Sequence, residues 1–260
     1  MLGALTGLGG GIVIVPMLTL AFGVDIRYAI GASLVSVIAT SSGAAAAYVK
    51  EGFTNVRVGM LLEIATTCGA LAGAYLATRI GTSAIAVVFG LVLLYSAYRS
   101  SRPLAEHVTT EPAHPLAVKL RLNSTYPTPN GLEPYAVQGV PAGFSLMLVA
   151  GILSGLLGIG SGALKVLAMD QLMHLPFKVS TTTSNFMIGV TAAASAGIYL
   201  NRGYINPGVA LPVMLGVLAG ALTGARVLAG AGTKPLRQFF SVVVVVLALE
   251  MLYKGFTGGL

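Results

Sequence analysis

Long apolar stretches broken by single charges set the pattern of this chain. Residues 28–49 carry no charge, 58–78 carry only Glu63, and 80–98 carry none. The later part has the same rhythm: 136–164, 179–201 and 203–225 are uncharged, and 238–253 contains only Glu250. A helix needs about 20 apolar residues to cross a bilayer, so these stretches predict transmembrane helices. The valine run at 242–246 is assigned to a helix by its length and context.

Glycine clusters at 7–11 and 158–162 interrupt this pattern. A full span precedes the second cluster, and only about a dozen apolar residues follow it, too few to cross again. A re-entrant or discontinuous helix is expected there. Only six residues precede the first cluster, so either the chain starts inside its first span or that span is abbreviated.

The pattern also repeats in its details, 151 residues apart. Gly7, Gly9 and Gly11 recur as Gly158, Gly160 and Gly162, Ser33 as Ser184, Thr40 as Thr191, Tyr48 as Tyr199, Gly52 as Gly203 and Asn55 as Asn206. The chain is therefore expected to be an all-α polytopic membrane protein. Its plan would be two homologous repeats of about four transmembrane helices, each opening with a Gly-rich broken helix. The expected divisions are a first membrane repeat over 1–98, an extramembrane linker over 99–138 and a second repeat over 139–260. The linker holds Pro103, Pro112, Pro115, Pro127, Pro129 and Pro134, with solvated His107 and His114, and a membrane-surface segment near 116–122. Four spans per half would leave the copies parallel and an odd number would invert them; Lys and Arg at nearly every loop leave both open.

Composition supports this reading. The chain is 55% hydrophobic and only 9% charged, too few charges for a soluble surface. A formal net charge of +7 could suggest nucleic acid. Its Lys and Arg residues stand singly, which points instead to loop anchors and an anionic substrate. Cys68 is the one cysteine, so no intramolecular disulfide can form. The first residues lack the positive n-region of a signal peptide.

The candidate chemistry lies at the breaks. Gly9, Gly10 and Gly11, and Gly160, Ser161 and Gly162, open the helical ladder, and an anion would accept from the freed N–H groups. Ser33 and the cluster Thr182, Thr183, Ser184 and Asn185 place hydroxyl and amide donors just inside apolar spans, where desolvation is costly without partners. Lys165 follows the second break by three residues in an apolar stretch and can supply charge to a bound anion or pair with Asp170. Glu63 and Glu250 read either as proton relays or as members of buried pairs. Arg27 and Lys178 read as matched interface anchors, His174 as an interface turn residue, and Arg226 as a possible pathway residue. No metal-ligand spacing, cofactor motif or catalytic constellation appears. The Gly-x-Ser-x-Gly at 158–162 lacks the strand of a hydrolase elbow, so an enzyme is not expected.

These motifs resemble the sulfite exporter TauE/SafE family, also called the toluenesulfonate uptake permease family. The likeness rests on Gly9-Gly10-Gly11, Val15-Pro16 and Gly31-Ala32-Ser33 in the first half. In the second it rests on Gly160-Ser161-Gly162, Val166-Leu167 and Thr182-Thr183-Ser184. It implies an inner-membrane, multi-pass carrier for sulfite or a C2 organosulfonate such as sulfoacetate, bound between the breaks. Another small anion, such as a carboxylate or thiosulfate, or a small-anion channel, stays open. So do a homodimer and coupling to protons or another ion. Ser161, Leu167, Thr182 and Lys165 depart from the family pattern and make the site asymmetric.

Overall fold

A computed structural model describes residues 10–50, 52–101, 114–128, 131–228 and 233–258, with side chains omitted at 43–50, 99–101, 163, 222–228 and 233–240. Gly7, Gly9 and His107 lie outside the described residues, as do Pro103, Pro112 and Pro129, and the Arg226 side chain is outside them too.

The first half contains α1 (Gly11–Pro16, continued by a π turn over Met17–Ala21), α2 (Ile26–Lys50), α3 (Val56–Ala77) and α4 (Thr82–Ser101). A short helix α5 (Pro115–Lys119) and an antiparallel hairpin of β1 (Ser124–Thr128) and β2 (Gly131–Tyr135) follow. The second half contains α6 (Val140–Leu157), α7 (Gly162–Leu167, continued by a π turn over Ala168–Leu172), α8 (Phe177–Asn201), α9 (Pro207–Leu228) and α10 (Thr233–Thr257). The bounds of α1, its π turn, α2 and α3 each recur 151 residues later in α7, its π turn, α8 and α9. The turn after each π segment is built alike: Gly23 (φ 63°) and His174 (φ 54°) both sit in the left-handed region.

The helices are packed through glycines. A Cβ on Gly151 would strike the Thr66 carbonyl, and one on Gly155 the Ala70 carbonyl; Gly69 and Gly73 meet Leu148 and Ile152 in the same way. Small residues let backbones approach this closely in lipid. The pairings advance together along both helices, so α3 and α6 run parallel. Asn55 with Thr183 and Glu63 with Thr191 make α3 parallel to α8 as well. By contrast α4 and α10 are antiparallel, with Gly255 against Val87, Gly90 against Leu252 and Ser241 bonded to Ala97.

The second glycine cluster reverses the chain. The Gln138 N–H donates to the Met173 carbonyl at 3.0 Å, so α7 and its π turn return to the starting end of α6. The expected re-entrant geometry is thus the form taken by 140–172. Among the described helices, α3 and α6 are each long and apolar enough to cross a membrane, and shorter apolar stretches occur in α2, α4 and α9.

The described part of the linker, from His114 on, adds a short helix and a two-stranded hairpin to a helical protein. Asn55 fastens this hairpin to the bundle. Its amide group donates to the Leu122 carbonyl at 2.8 Å and the Tyr135 hydroxyl at 2.7 Å, while its Oδ1 caps α3 at Val58. Burial pushes the Tyr135 phenol above its ordinary pKa, so it stays protonated in this network.

Candidate functional site

Two of the sequence-predicted elements meet at the centre. A Cβ on Gly11 would lie 2.6 Å from the Gly158 carbonyl, 2.7 Å from Ser33 Oγ and 2.8 Å from Ile159 Cα. The first and second glycine breaks are therefore in direct backbone contact. Ser33 Oγ donates to the Gly158 carbonyl at 2.8 Å, and Ser184 Oγ donates to the Gly162 carbonyl at 3.3 Å. These two serines, 151 residues apart, hold the carbonyls of the second break. Gly10 packs against Ile14 and Val217.

The second break is strained and short of partners. Gly158, Gly160 and Ser161 have φ of 65°, 73° and 42°, and only the two glycines adopt this region at no cost. Among the described residues, the amide N–H groups of Ile159, Gly160, Ser161 and Gly162 find no acceptor. The hydroxyls of Ser154 and Ser161 are also buried without partners. Backbone N–H groups at membrane depth are normally satisfied.

Lys165 stands one turn from Ser161, its N–H bonded to the Ser161 carbonyl at 3.1 Å. Its side chain is 0% exposed. The ammonium donates to Thr191 Oγ1 at 2.5 Å, its one hydrogen bond, although it carries three N–H donors. Thr191 Oγ1 in turn donates to Glu63 Oε1 at 2.7 Å, and Thr67 Oγ1 donates to the same oxygen at 3.1 Å. Glu63 Oε2 is buried and has no partner. The result is a chain of ammonium, hydroxyl and carboxylate across α7, α8 and α3. It leaves spare donors at one end and a spare acceptor at the other.

Thr182 and Thr183 lie elsewhere, at the linker end of the bundle. Thr182 Oγ1 donates to the Phe53 carbonyl at 3.1 Å, and Thr183 Oγ1 accepts from the Asn55 N–H at 3.0 Å. Asn185 is half-buried beside them on α8. Of the other candidates, Lys178 stacks on Phe53 and Arg27 donates to the Ile80 carbonyl, at opposite ends of the bundle. Glu250 is exposed on α10. His174 lies in the turn after the π segment, its Nδ1 2.9 Å from Gln138 Oε1.

The sequence reading gave Lys165 a site role but not its two partners. Glu63 was visible as the lone charge of its span and Thr191 as the partner of Thr40. What joined them was the parallel packing of α3 and α8, which no local pattern encodes. A protein with a buried Lys, a half-buried Glu and unpaired donors at a helix break has the chemistry to bind an anion.

The sulfite exporter TauE/SafE family model matches residues 1–251. A probable membrane transporter protein, YunE, of Bacillus subtilis (strain 168) is 30% identical over 97% of this chain and 93% of its own length. Another from B. subtilis, YdhB, is 27% identical over 85% of this chain and 82% of its length. A third, MJ0441 of Methanocaldococcus jannaschii, is 25% identical over 96% and 90%. No solved structure matches. The apolar helices and these likenesses converge, and the chain belongs to the TauE/SafE family of membrane transporters.

Proposed function

We propose that this protein is an alternating-access carrier for a small sulfur-containing anion, sulfite or a C2 organosulfonate such as sulfoacetate, in the cell inner membrane. The observation that carries this reading is Lys165: a fully buried ammonium with one hydrogen bond among the described residues, one turn from a helix break where the N–H groups of 159–162 find no acceptor among those residues. A buried charge is costly unless paired and hydrogen-bonded, and an anion's oxygens would supply the missing acceptors. The Ser161 hydroxyl and the N–H groups after Gly158 would bind oxygens, while Ser33 and Ser184 hold the break in shape. Sulfur oxyanions are favoured because the chain belongs to this family; a carboxylate would suit the same donors.

We read the matching element bounds as two inverted repeats. Equivalent helices α4 and α10 run antiparallel, which supports inversion, and inverted repeats commonly rock about a site at their junction. Charge placement supports an orientation. Lys50, Arg57, Arg99, Lys119, Arg121, Lys178, Arg226, Lys234 and Arg237 belong to elements at the hairpin end, against Arg27, Arg79, Arg202 and Lys254 at the other. By the positive-inside rule the linker and hairpin face the cytoplasm.

The test is uptake of labelled sulfite and sulfonates by proteoliposomes. Saturable flux with counterflow is expected. Steep, non-saturating flux without counterflow would replace the carrier by a channel.

A further inference from the structure

We propose that Glu63 couples anion transport to protons: each monovalent anion that binds Lys165 is accompanied by one proton, which adds to Glu63 Oε2. This rests on the anion-carrier reading above and specifies the charge state of its cargo and its coupling ion.

The argument is one of charge balance in a buried site. Lys165 and Glu63 are joined only through Thr191, so the site as it stands holds one positive and one negative group. An anion taking Lys165 as its partner would leave the site with one net negative charge, in surroundings that stabilise charge poorly. Protonating Glu63 restores neutrality. The carboxylate and one proton from water become a carboxylic acid, the ammonium keeps its charge beside the anion, and no other bond changes. Oε1 already accepts from Thr191 and Thr67, whereas Oε2 is buried with no partner, so the proton has a defined place. A dianion would still leave an excess negative charge with one proton taken up. The proposed cargo is thereby narrowed to monoanions, bisulfite or a sulfonate with no second negative charge, and the dianions sulfate and sulfoacetate are excluded.

No other group on the packed elements does this work. On α3, Arg57 donates to the Arg121 carbonyl at the linker, and Cys68 and Tyr75 are exposed. Helix α6 carries no titratable residue. Asp170 is buried in the returning π turn and has contacts of its own. On α8, Lys178 stacks on Phe53 at the linker end and Tyr199 donates to the Gly155 carbonyl. The positions 151 residues from Lys165 and Glu63 are Ile14 and Met214. Each charge is thus replaced by an apolar residue at its equivalent position, as expected of groups that act as a pair across the two halves.

The experiment is calorimetry of methanesulfonate binding to the purified full chain, repeated in buffers of different ionisation enthalpy. Methanesulfonate keeps one charge throughout the range used, and sulfate serves as the dianion. The expected result is uptake of one proton per methanesulfonate, with Kd rising up to tenfold per pH unit as pH rises. Sulfate should bind at least tenfold more weakly. Methanesulfonate binding with no proton uptake would overturn the coupling while leaving the carrier intact. No binding by any sulfonate, sulfite or sulfate would overturn both readings. Glu63→Gln adds a second check, since it mimics the protonated acid: its binding should take up no proton and its Kd should be flat with pH. Unchanged proton uptake in Glu63→Gln would place the proton elsewhere and reject the proposal.

Discussion

Two equivalent sets of helices, α3 with α7 and α8, and α9 with α1 and α2, share their bounds but not their central chemistry. In one, Lys165, Thr191 and Glu63 form a continuous polar chain. In the other, the matching positions hold Ile14, Thr40 and Met214. Among the described residues the Thr40 hydroxyl bonds only to the Ser36 and Val37 carbonyls of its own helix, whereas Thr191 reaches the Met187 carbonyl of its helix and the two charged groups as well. The threonine is kept in both, and only the charges differ. One scaffold position can therefore serve as ordinary helix packing or as a binding element. The difference lies in whether the hydroxyl has charged groups to bridge. The set formed by α1, α2 and α9 carries Ile14 and Met214 at these positions and packs without the two charges.

The largest test makes one set of helices resemble the other. Lys165→Met alone leaves the half-buried Glu63 uncompensated and should cost about 1–3 kcal/mol, read by thermal or denaturant unfolding in detergent. Adding Glu63→Met should recover most of that loss without restoring anion binding. A double variant as unstable as the single one would mean that the charges hold the fold together.

A smaller contrast separates the two threonines. Thr191→Val strips the bridge from two buried groups and should cost about 1–3 kcal/mol. Thr40→Val removes a hydroxyl bonded only within its own helix and should fall near 0.5 kcal/mol or below, on the scale of about 0.6 kcal/mol typical of such bonds in membranes. Equal costs would erase the distinction between the halves.

Ser33 and Ser184 should differ less. Ser33→Ala loses a 2.8 Å bond to Gly158 and Ser184→Ala a 3.3 Å bond to Gly162, so about 1 kcal/mol is expected for the first and less for the second. Smallest of all is Ser161→Ala, since the Ser161 hydroxyl has no partner to lose. Its stability should move by about 0.5 kcal/mol or less. Its affinity for a sulfonate should fall several-fold, measured by titration against wild type.

Much of this architecture can be read from the chain because it is local. Apolar run lengths mark the helices, and glycine clusters mark where α6 ends and α7 begins. The limits of α2 and α8 lie close to the uncharged stretches that predict them. The hairpin at 124–135 was hidden because its strands are short, contain Pro127 and Pro134, and are held by Asn55 from a distant loop. The site was legible in part for the same reason. Lys165 and the glycine breaks announce themselves as exceptions in apolar sequence. Thr182 and Thr183 belong to the same polar run as Ser184, yet they face the Phe53–Asn55 loop. Which hydroxyl of a run reaches which neighbour depends on helix rotation and on the register of α8 against α3, which composition does not specify.

The central claim is that Lys165 and its partners form the anion site. The most direct measurement is thermal stabilisation of wild type and of the Lys165→Met/Glu63→Met variant by sulfite, thiosulfate, sulfate, sulfoacetate, taurine, methanesulfonate, acetate and chloride. A ligand that binds the native state raises the melting temperature with its concentration. The account predicts selective, concentration-dependent stabilisation of wild type by sulfite or a sulfonate, and none in the folded double variant. An equal shift in both proteins would contradict it and move the site away from Lys165.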